Sequence, residues 1–477
     1  MDRRTFLKAT GIGAGLAVGA AGSARAGLAN LALPSLGLEG PKARTPVEHI
    51  VVVMMENRSV DHYLGWYGAE NADFDAIQTA AFPDRRAGGN GVLVPTANWG
   101  AAGRADYHGR GYADPSHGWG AGRVERYGGA CDGWLDAGQG NDEFALSYYD
   151  ADDVPVWAQL TRGWQTYDRW FASLLGPTQP NRYYMHSAQS AGRTNNDLPP
   201  QVAANNPQWA HGWDWPTIWT LLENKGVSCA YYYCNLPEIL FWGERHISHA
   251  RHISDYYASA AAGQLPQVSF IDPWFIGPEG VACDDHPHAD LRLGQTFLSD
   301  VVEAFVASAN YQSGALVLTY DEWGGFWEHV DPPRVADDRG TPGDPGGNND
   351  FGQLGFRIPS TIVSPWTRRA GAVDHTTYEH VSTLRFISEN WDLGYLNTRH
   401  RSTNSIEGAF GGFSSFDPDA PFTPYDAPVG LVLEPTLEPY TGQSDLYTLA
   451  ELGWFDGRGV RTDYRLADAF RRSGVLA

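Results

Sequence analysis

Cysteine is scarce in this chain: four residues in 477, too few for a disulfide scaffold of this size. Positive charge is scarce as well. Thirty-four Lys and Arg stand against 56 Asp and Glu, a net charge of −22. That balance argues against a nucleic-acid partner held by broad phosphate neutralisation. Phosphate chemistry on such a chain needs a local metal or a helix end in place of a global positive field. Beyond the N-terminus no apolar run reaches transmembrane length, and no internal repeat is visible. Apolar residues themselves are plentiful, at 42% with 19% charged, so a sizeable core forms and wholesale disorder is excluded. Eighteen Trp and 23 Tyr fit either deep aromatic clefts or a heavily packed core.

Residues 1–26 read as an address. Arg3-Arg4 precede an apolar Ala/Gly/Leu/Val stretch that ends at Ser23-Ala24-Arg25-Ala26, the pattern of a twin-arginine signal peptide. The apolar stretch is too short and too Gly-rich for a stable membrane span. The expectation is export by the twin-arginine machinery to the periplasm or the extracellular space. Oxidation there permits a local Cys229–Cys234 bridge without demanding one. Residues 27–46 form a Pro/Gly-rich lead-in, 47–400 one large domain, and 401–477 a C-terminal wrap of that domain.

The run Ile50-Val51-Val52-Val53-Met54-Met55 has the pattern of a strand buried on both faces of a parallel sheet. Similar runs recur at 227–233, 268–271, 315–320 and 358–363, and helical patterns fall at 154–162, 217–224, 291–308 and 378–391. The alternation predicts an α/β fold, a doubly wound, mainly parallel sheet with helices on both faces. Gly/Asn/Asp-rich stretches at 87–106 and 337–349 predict long loop insertions.

In open α/β sheets ligands bind beyond the carboxyl ends of the strands. Two of the runs end there in acids: Met55 leads into Glu56-Asn57, and Tyr320 into Asp321-Glu322. Either pair alone is explained as the cap of a turn; together they describe a hard-oxygen cation site. A third cluster is Leu175-Gly176-Pro177-Thr178-Gln179-Pro180-Asn181-Arg182. Gly-Pro sets a tight turn, and Pro180 suits the first turn of a helix running on to 190. Thr178 then lies at or near the N-cap, where unpaired N–H groups favour an anion, and its oxygen is a candidate nucleophile toward phosphorus. An ordinary Thr N-cap is the competing explanation. Asn181 and Arg182, one turn in, are candidate donors to phosphoryl oxygens. His117, His286, His329 and His375 sit in loops beside acids or glycines, suited to proton transfer or metal ligation.

These motifs, in order, resemble the bacterial phosphoesterase family. That family includes phosphocholine-preferring phospholipases C, plant non-specific phospholipases C and a respiratory-burst-inhibiting acid phosphatase. The resemblance rests on Met54-Met55-Glu56-Asn57-Arg58-Ser59-Val60-Asp61-His62-Tyr63, on 114–119, on 176–182, on 284–287 and on Thr319-Tyr320-Asp321-Glu322-Trp323-Gly324-Gly325-Phe326. It continues through 355–366 and 375–391, covering about 47–393.

The resemblance implies an alkaline-phosphatase-like fold and hydrolysis of phosphate esters. Glu56, Asn57, Asp321 and Glu322 would hold one divalent metal ion, which also touches the Thr178 oxygen. Thr178 would be the nucleophile, forming a phosphothreonine that water then cleaves. His117, His286 and His329 would line the phosphate pocket, and Asn181, Arg182, Asp285 and Trp323 would bind substrate. Oxygen ligands favour Ca²⁺, Mg²⁺ or Mn²⁺; a nearby His admits Zn²⁺ or iron.

Two positions depart from the family pattern: Val60 replaces the usual Phe, and Trp323 stands where a small or polar residue or His is expected. A choline head group would want an aromatic cage, for which Trp119, Trp134, Trp323 and Trp327 are candidates. The reading is a phospholipase C-like phosphodiesterase acting on a small-molecule or phospholipid phosphate ester, with a phosphomonoesterase as the alternative. A glycoside hydrolase would need neither Thr178 nor metal, and a non-catalytic binding protein would be indifferent to Thr178→Ala.

Overall fold

The apolar run at 50–55 forms the middle of an eight-stranded sheet, and its strand is buried along all but its first residue. In chain order the strands are β1 (His49–Met55), β2 (Thr166–Tyr167), β3 (Cys229–Tyr233), β4 (Ala250–His252), β5 (Val268–Ile271), β6 (Gly314–Tyr320), β7 (Thr361–Val363) and β8 (Val373–Asp374). Across the sheet they run β8-β2-β7-β6-β1-β5-β3-β4. β1 pairs in parallel with both β5 and β6, and β3 and β4 continue the parallel half. This computed structural model describes residues 40–138, 141–197, 199, 212–234, 237–275, 282–340 and 350–428. The expected leader, the first part of the lead-in, residues 341–349 of the second insertion and the chain beyond 428 lie outside the described residues.

The helices used below are α1 (Val60–Glu70), α2 (Trp119–Arg126), α3 (Pro155–Gly163), α4 (Thr178–Ser187), α5 (Ile218–Lys225), α6 (Ile253–Ala261), α7 (Leu291–Val306) and α8 (His380–Trp391). They gather in two packed groups, α4 and α5 with α8, and α3 and α6 with α7. One apolar cluster joins β1, β5 and β6 to both groups. The α/β, mainly parallel architecture expected from the alternating pattern is the observed one. Each predicted helix is present within a few residues of its expected bounds. α7 is entered through Asp290, whose carboxylate accepts from the Arg292 N–H at 3.0 Å.

Two local features differ from the expectation. The run at 358–363 forms a strand only over Thr361–Val363, and that strand is antiparallel to β6. Pro359 has no N–H to give to a ladder, and Ile358 bonds to Trp170 O instead, at 3.0 Å. The first insertion supplies the second strand of a hairpin, in which Val92–Pro95 pairs with Ala81–Asp84 just ahead of it, and the consecutive apolar residues Val92, Leu93 and Val94 suit an extended chain.

Residues 414–428 carry no regular structure and cross the outside of α7, where the Tyr425 N–H reaches Ser299 Oγ at 2.8 Å and the Ala427 N–H reaches Thr296 Oγ1 at 3.0 Å. All four cysteines are free thiols, so Cys229 and Cys234 are not bridged. Among the described residues no helix is long and apolar enough to cross a membrane.

Candidate active site

The register of β1 on β6 sets Met55 beside Tyr320, so Glu56-Asn57 and Asp321-Glu322 leave the sheet side by side. Backbone bonds lock the two exits together. The Asp321 N–H donates to Met55 O at 3.0 Å, and the Arg58 N–H to Glu322 O at 3.1 Å. Asn57 adopts φ 61°, a left-handed conformation that Asn tolerates better than most residues. That turn aims its N–H at Asp321 Oδ1, 3.0 Å away.

Two glycines make the crowding possible. A Cβ on Gly324 (φ +67°) would stand 2.3 Å from Asn57 O, and one on Gly325 (φ +71°) would stand 2.6 Å from Ser116 O. The chain after β6 therefore passes directly against both the Asn57 turn and the loop that carries His117.

Thr178 is the first residue of α4, with Pro177 at the N-cap, and the helix ends at Ser187 because Ala188 turns left-handed at φ 56°. Residues four apart share a helix face. Arg182, one turn on from Thr178, points into the acids: its guanidinium lies 3.1 Å from Glu56, 3.0 Å from Asp272, 3.2 Å from Glu238 and 3.5 Å from Asp321. Thr178 is thereby placed on the face that looks at the carboxylate cluster. It is 3% exposed. The neighbouring Gln179 N–H is already given to Asn196 Oδ1 at 2.8 Å.

Burial dominates the electrostatics. It pushes the Glu56 and Glu322 carboxyls well above the ordinary carboxylate range, Asp321 and Asp272 up to about 6, and Asp284 up to about 8; at Glu56, Asp272 and Asp321 the positive charge of Arg182 works against it. One guanidinium shared among four carboxylates leaves the cluster short of positive charge. Asn57 Oδ1, Asp321 Oδ2, Glu322 Oε1 and Asp284 Oδ2 are buried with no hydrogen-bond partner among the described residues. Orphaned hard-oxygen donors in an acid-rich pocket fit a divalent cation of the Ca²⁺, Mg²⁺ or Mn²⁺ type.

His117 reaches the same place from its loop, with Nε2 3.4 Å from Asn57 Nδ2 and 3.8 Å from Glu322 Oε1. Its Nδ1 faces Pro115 O at 2.7 Å, and His286 Nδ1 faces Pro287 O at 2.6 Å. Each neutral ring therefore carries its proton on Nδ1. Burial lowers both imidazoles below the usual histidine range. The two rings stand 5.8 Å apart, and with Asp114 they form a group whose ligand atoms all lie within 4.8 Å of one another.

The structure brings Glu56, Asn57, Asp321, Glu322, His117 and Arg182 to one strand edge, and Thr178 stands one helical turn before Arg182. His286 follows Asp284, whose carbonyl accepts the Glu56 N–H at 2.8 Å. Other expected residues are engaged elsewhere. His329 has Nδ1 2.5 Å from Asp61 and Nε2 3.1 Å from Asp75, so both ring nitrogens are held by carboxylates outside this group. Asn181, expected as a phosphate donor, spends its amide on the turn before α4, donating to Gly176 O at 2.8 Å and accepting from the Leu174 N–H at 2.8 Å.

Arg182 is likewise consumed by carboxylates and is not a free donor. Asp285 accepts from Tyr320 Oη at 2.5 Å, while its carbonyl takes Arg58 Nε at 2.8 Å. Trp323 is fully buried, with Nε1 on Glu125 at 2.8 Å and Phe356 against its ring. Trp134 and Trp327 are fully buried too, so of the four cage candidates only Trp119 keeps exposed surface, with Arg123 stacked 3.6 Å over it.

Sequence reasoning missed Asp272, Glu238 and Asp284. Asp272 had a legible signal, since it follows the 268–271 run as Glu56 and Asp321 follow theirs. Glu238 had none.

Comparison with known proteins matches the chain to one family. The family model of the Phosphoesterase family covers residues 47–394. The chain is 31% identical over 393 residues to non-specific phospholipase C6 of Arabidopsis thaliana, covering 75% of this chain and 70% of that protein. It is 30% identical over 405 residues to phospholipase C B of Mycobacterium tuberculosis, covering 75% of each. Among solved structures it is similar to a protein in the alkaline phosphatase superfamily from Vibrio parahaemolyticus, at 11% identity and a TM-score of 0.31, over 74% of this chain and 67% of that one. The chain belongs to the Phosphoesterase family and is a hydrolase of phosphoric esters.

Proposed function

We propose that the protein is a metal-dependent phosphodiesterase of the phospholipase C type, using Thr178 as its nucleophile. One observation carries the reading. Thr178 opens a buried helix whose next turn, through Arg182, is tied to the acids that two adjacent parallel strands deliver. Glu56, Asn57, Asp321 and Glu322 are the residues that would hold the divalent ion, which when bound neutralises charge on the phosphoryl oxygens.

The steps assigned to the chain's own groups balance. The Thr178 oxygen forms a bond to phosphorus as the bond from phosphorus to the ester oxygen breaks, leaving a phosphothreonine and an alkoxide. An imidazole, His117 or His286, takes the Thr178 hydroxyl proton on Nε2 as that oxygen bonds to phosphorus, and passes it to the departing alkoxide. Water then bonds to phosphorus as the bond from phosphorus to Thr178 breaks, and the imidazole carries the water's proton to the Thr178 oxygen. The buried rings are neutral before substrate arrives, and the negative charge of the ester raises their proton affinity at the moment the leaving group needs it. The names of the relatives support a phospholipid substrate, and Trp119, the half-buried one of the four cage candidates, is the surviving candidate among them for contact with a quaternary ammonium.

The test uses the exported protein, stripped by chelation and restored with individual divalent ions. Its substrates are p-nitrophenyl phosphate and p-nitrophenylphosphorylcholine. Metal-restored cleavage of the diester, abolished in Thr178→Ala, is expected. Wild-type turnover in Thr178→Ala refutes the nucleophile, and preference for the monoester makes the enzyme a phosphatase instead. Export by the twin-arginine route is part of the proposal, supported by Arg3-Arg4 ahead of the apolar stretch. Replacing both with Lys should leave the protein inside the cell with residues 1–26 still attached.

A further inference from the structure

A second cluster of ligand-type side chains lies away from the Thr178 helix turn. The 3-10 segment Glu238–His249 ends with His246 and His249, three residues apart. In a 3-10 helix side chains three apart eclipse, so the two imidazoles leave the same side of the segment. Both meet one carboxylate oxygen. His246 Nδ1 lies 2.9 Å and His249 Nε2 2.7 Å from Oε1 of Glu223, in the last turns of α5. The three ligand atoms all lie within 4.8 Å of one another.

The outer nitrogen of each ring is held from a different element. His246 Nε2 stands 3.0 Å from Thr217 Oγ1, the hydroxyl that also caps α5. His249 Nδ1 stands 3.6 Å from Cys229 Sγ at the start of β3, and the ring stacks on Trp219 at 5.7 Å and 24°. Outer-nitrogen contacts of this kind fix ring tautomer and orientation, and they are the usual support of a metal-binding imidazole. His246 is fully buried, while Glu223 opens to solvent, so the cluster has a sheltered wall and an accessible mouth.

We propose that Glu223, His246 and His249 form a second metal site, distinct from the candidate active site, for a transition-metal ion of the zinc class. Two imidazoles and a carboxylate are the donor set for such an ion, with further positions left to water. In the bound state Nδ1 of His246 and Nε2 of His249 bear lone pairs toward the ion. The His246 ring proton moves to Nε2 and is donated to Thr217 Oγ1. The site fastens α5 to the 3-10 segment, whose first residue, Glu238, binds Arg182 and accepts from Gln179 Nε2 at 2.9 Å.

The experiment compares wild type with Glu223→Gln and His249→Ala, each chelated, dialysed against Zn²⁺ at micromolar free concentration, and analysed for bound metal. Wild type should hold one equivalent more than either variant, whatever the active site retains. Cobalt loaded in place of zinc should give wild type a visible absorption band that both variants lack. Zinc should raise the Tm of wild type by more than that of Glu223→Gln, and activity restored with Mg²⁺ or Ca²⁺ alone, without zinc, should be equal in the two. Glu223→Gln changes one half-exposed atom, so its metal content decides between the two readings if His249→Ala fails to fold. Equal zinc content and equal cobalt spectra in wild type and Glu223→Gln overturn the proposal and leave the trio as a hydrogen-bonded cluster.

Discussion

The backbone N–H of Asn57 donates to Oδ1 of Asp321 at 3.0 Å, joining the ends of two adjacent parallel strands through one carboxylate. The same oxygen takes the Glu322 N–H at 2.7 Å, while Oδ2 has no hydrogen-bond partner among the described residues. One half of the carboxylate builds the turn; the other faces Arg182 Nε at 3.5 Å, beyond a hydrogen bond, and keeps its lone pairs for a cation. Asp321→Asn keeps an acceptor for both N–H groups and removes the charge. The variant should fold with an unchanged circular dichroism spectrum. It should need at least ~100-fold more divalent ion for half-maximal activity, since even residues that only support a metal ligand cost 10–100-fold when lost. Titrating metal back into chelated protein measures this directly. An unchanged midpoint would remove Asp321 from the metal-binding set.

Arg182 is 1% exposed and ion-paired with Glu56, Glu238, Asp272 and Asp321. Removing one partner of a buried pair leaves uncompensated charge, at a cost of about 3–5 kcal/mol. Arg182→Met should lose stability on that scale in urea unfolding. Arg182→Lys should recover only part of it, because an ammonium is a single point charge where the guanidinium is a planar fork. Equal stability of Arg182→Met and wild type would show that the carboxylates are neutralised by other means.

Much of this architecture is legible in the amino-acid sequence. β1 and β6 are buried on both faces, and burial on both faces writes itself as an unbroken apolar run ending where polar residues begin. Glu56 and Asp321 stand out for that reason. What the residues do to one another is less legible. Arg182 reads as a phosphate donor until Asp272 and Glu238, 90 and 56 residues away, are seen to claim it. His329 has the acidic neighbour of a catalytic histidine, yet its ring is taken by Asp61 and Asp75, more than 250 positions earlier in the chain. Long-range pairing of this kind follows from topology, and periodicity carries no trace of it.

His329 gives a stability prediction with a definite sign. Burial alone would lower its proton affinity, but the hydrogen bond and charge of Asp61 outweigh it and raise the ring to about 9. A folded value above the unfolded ~6.5 means the contribution is complete below pH 6.5 and is lost as pH rises through 9. At ~1.4 kcal/mol per unit the full effect is about 2–3 kcal/mol after allowing for the partly exposed ring. Wild-type stability should therefore fall more steeply between pH 7 and 9 than that of His329→Gln, measured by urea unfolding at each pH. Parallel curves would mean that His329 is not held as an imidazolium.

Gly324 tests whether the two exits must touch. It sits at φ +67°, and an added Cβ would stand 2.3 Å from Asn57 O, a backbone atom that cannot swing aside. Gly371 has a similar φ of +77° with nothing within 4 Å of the added Cβ, so Gly371→Ala isolates the backbone strain, roughly 1–2 kcal/mol. Gly324→Ala should cost more than that control in unfolding experiments. It should also weaken metal-restored activity, because Asn57 is pushed off Asp321, whereas Gly371→Ala should retain wild-type metal affinity. If the two alanine variants behave alike in both assays, the close pass of Gly324 against Asn57 contributes nothing to the site beyond its left-handed turn.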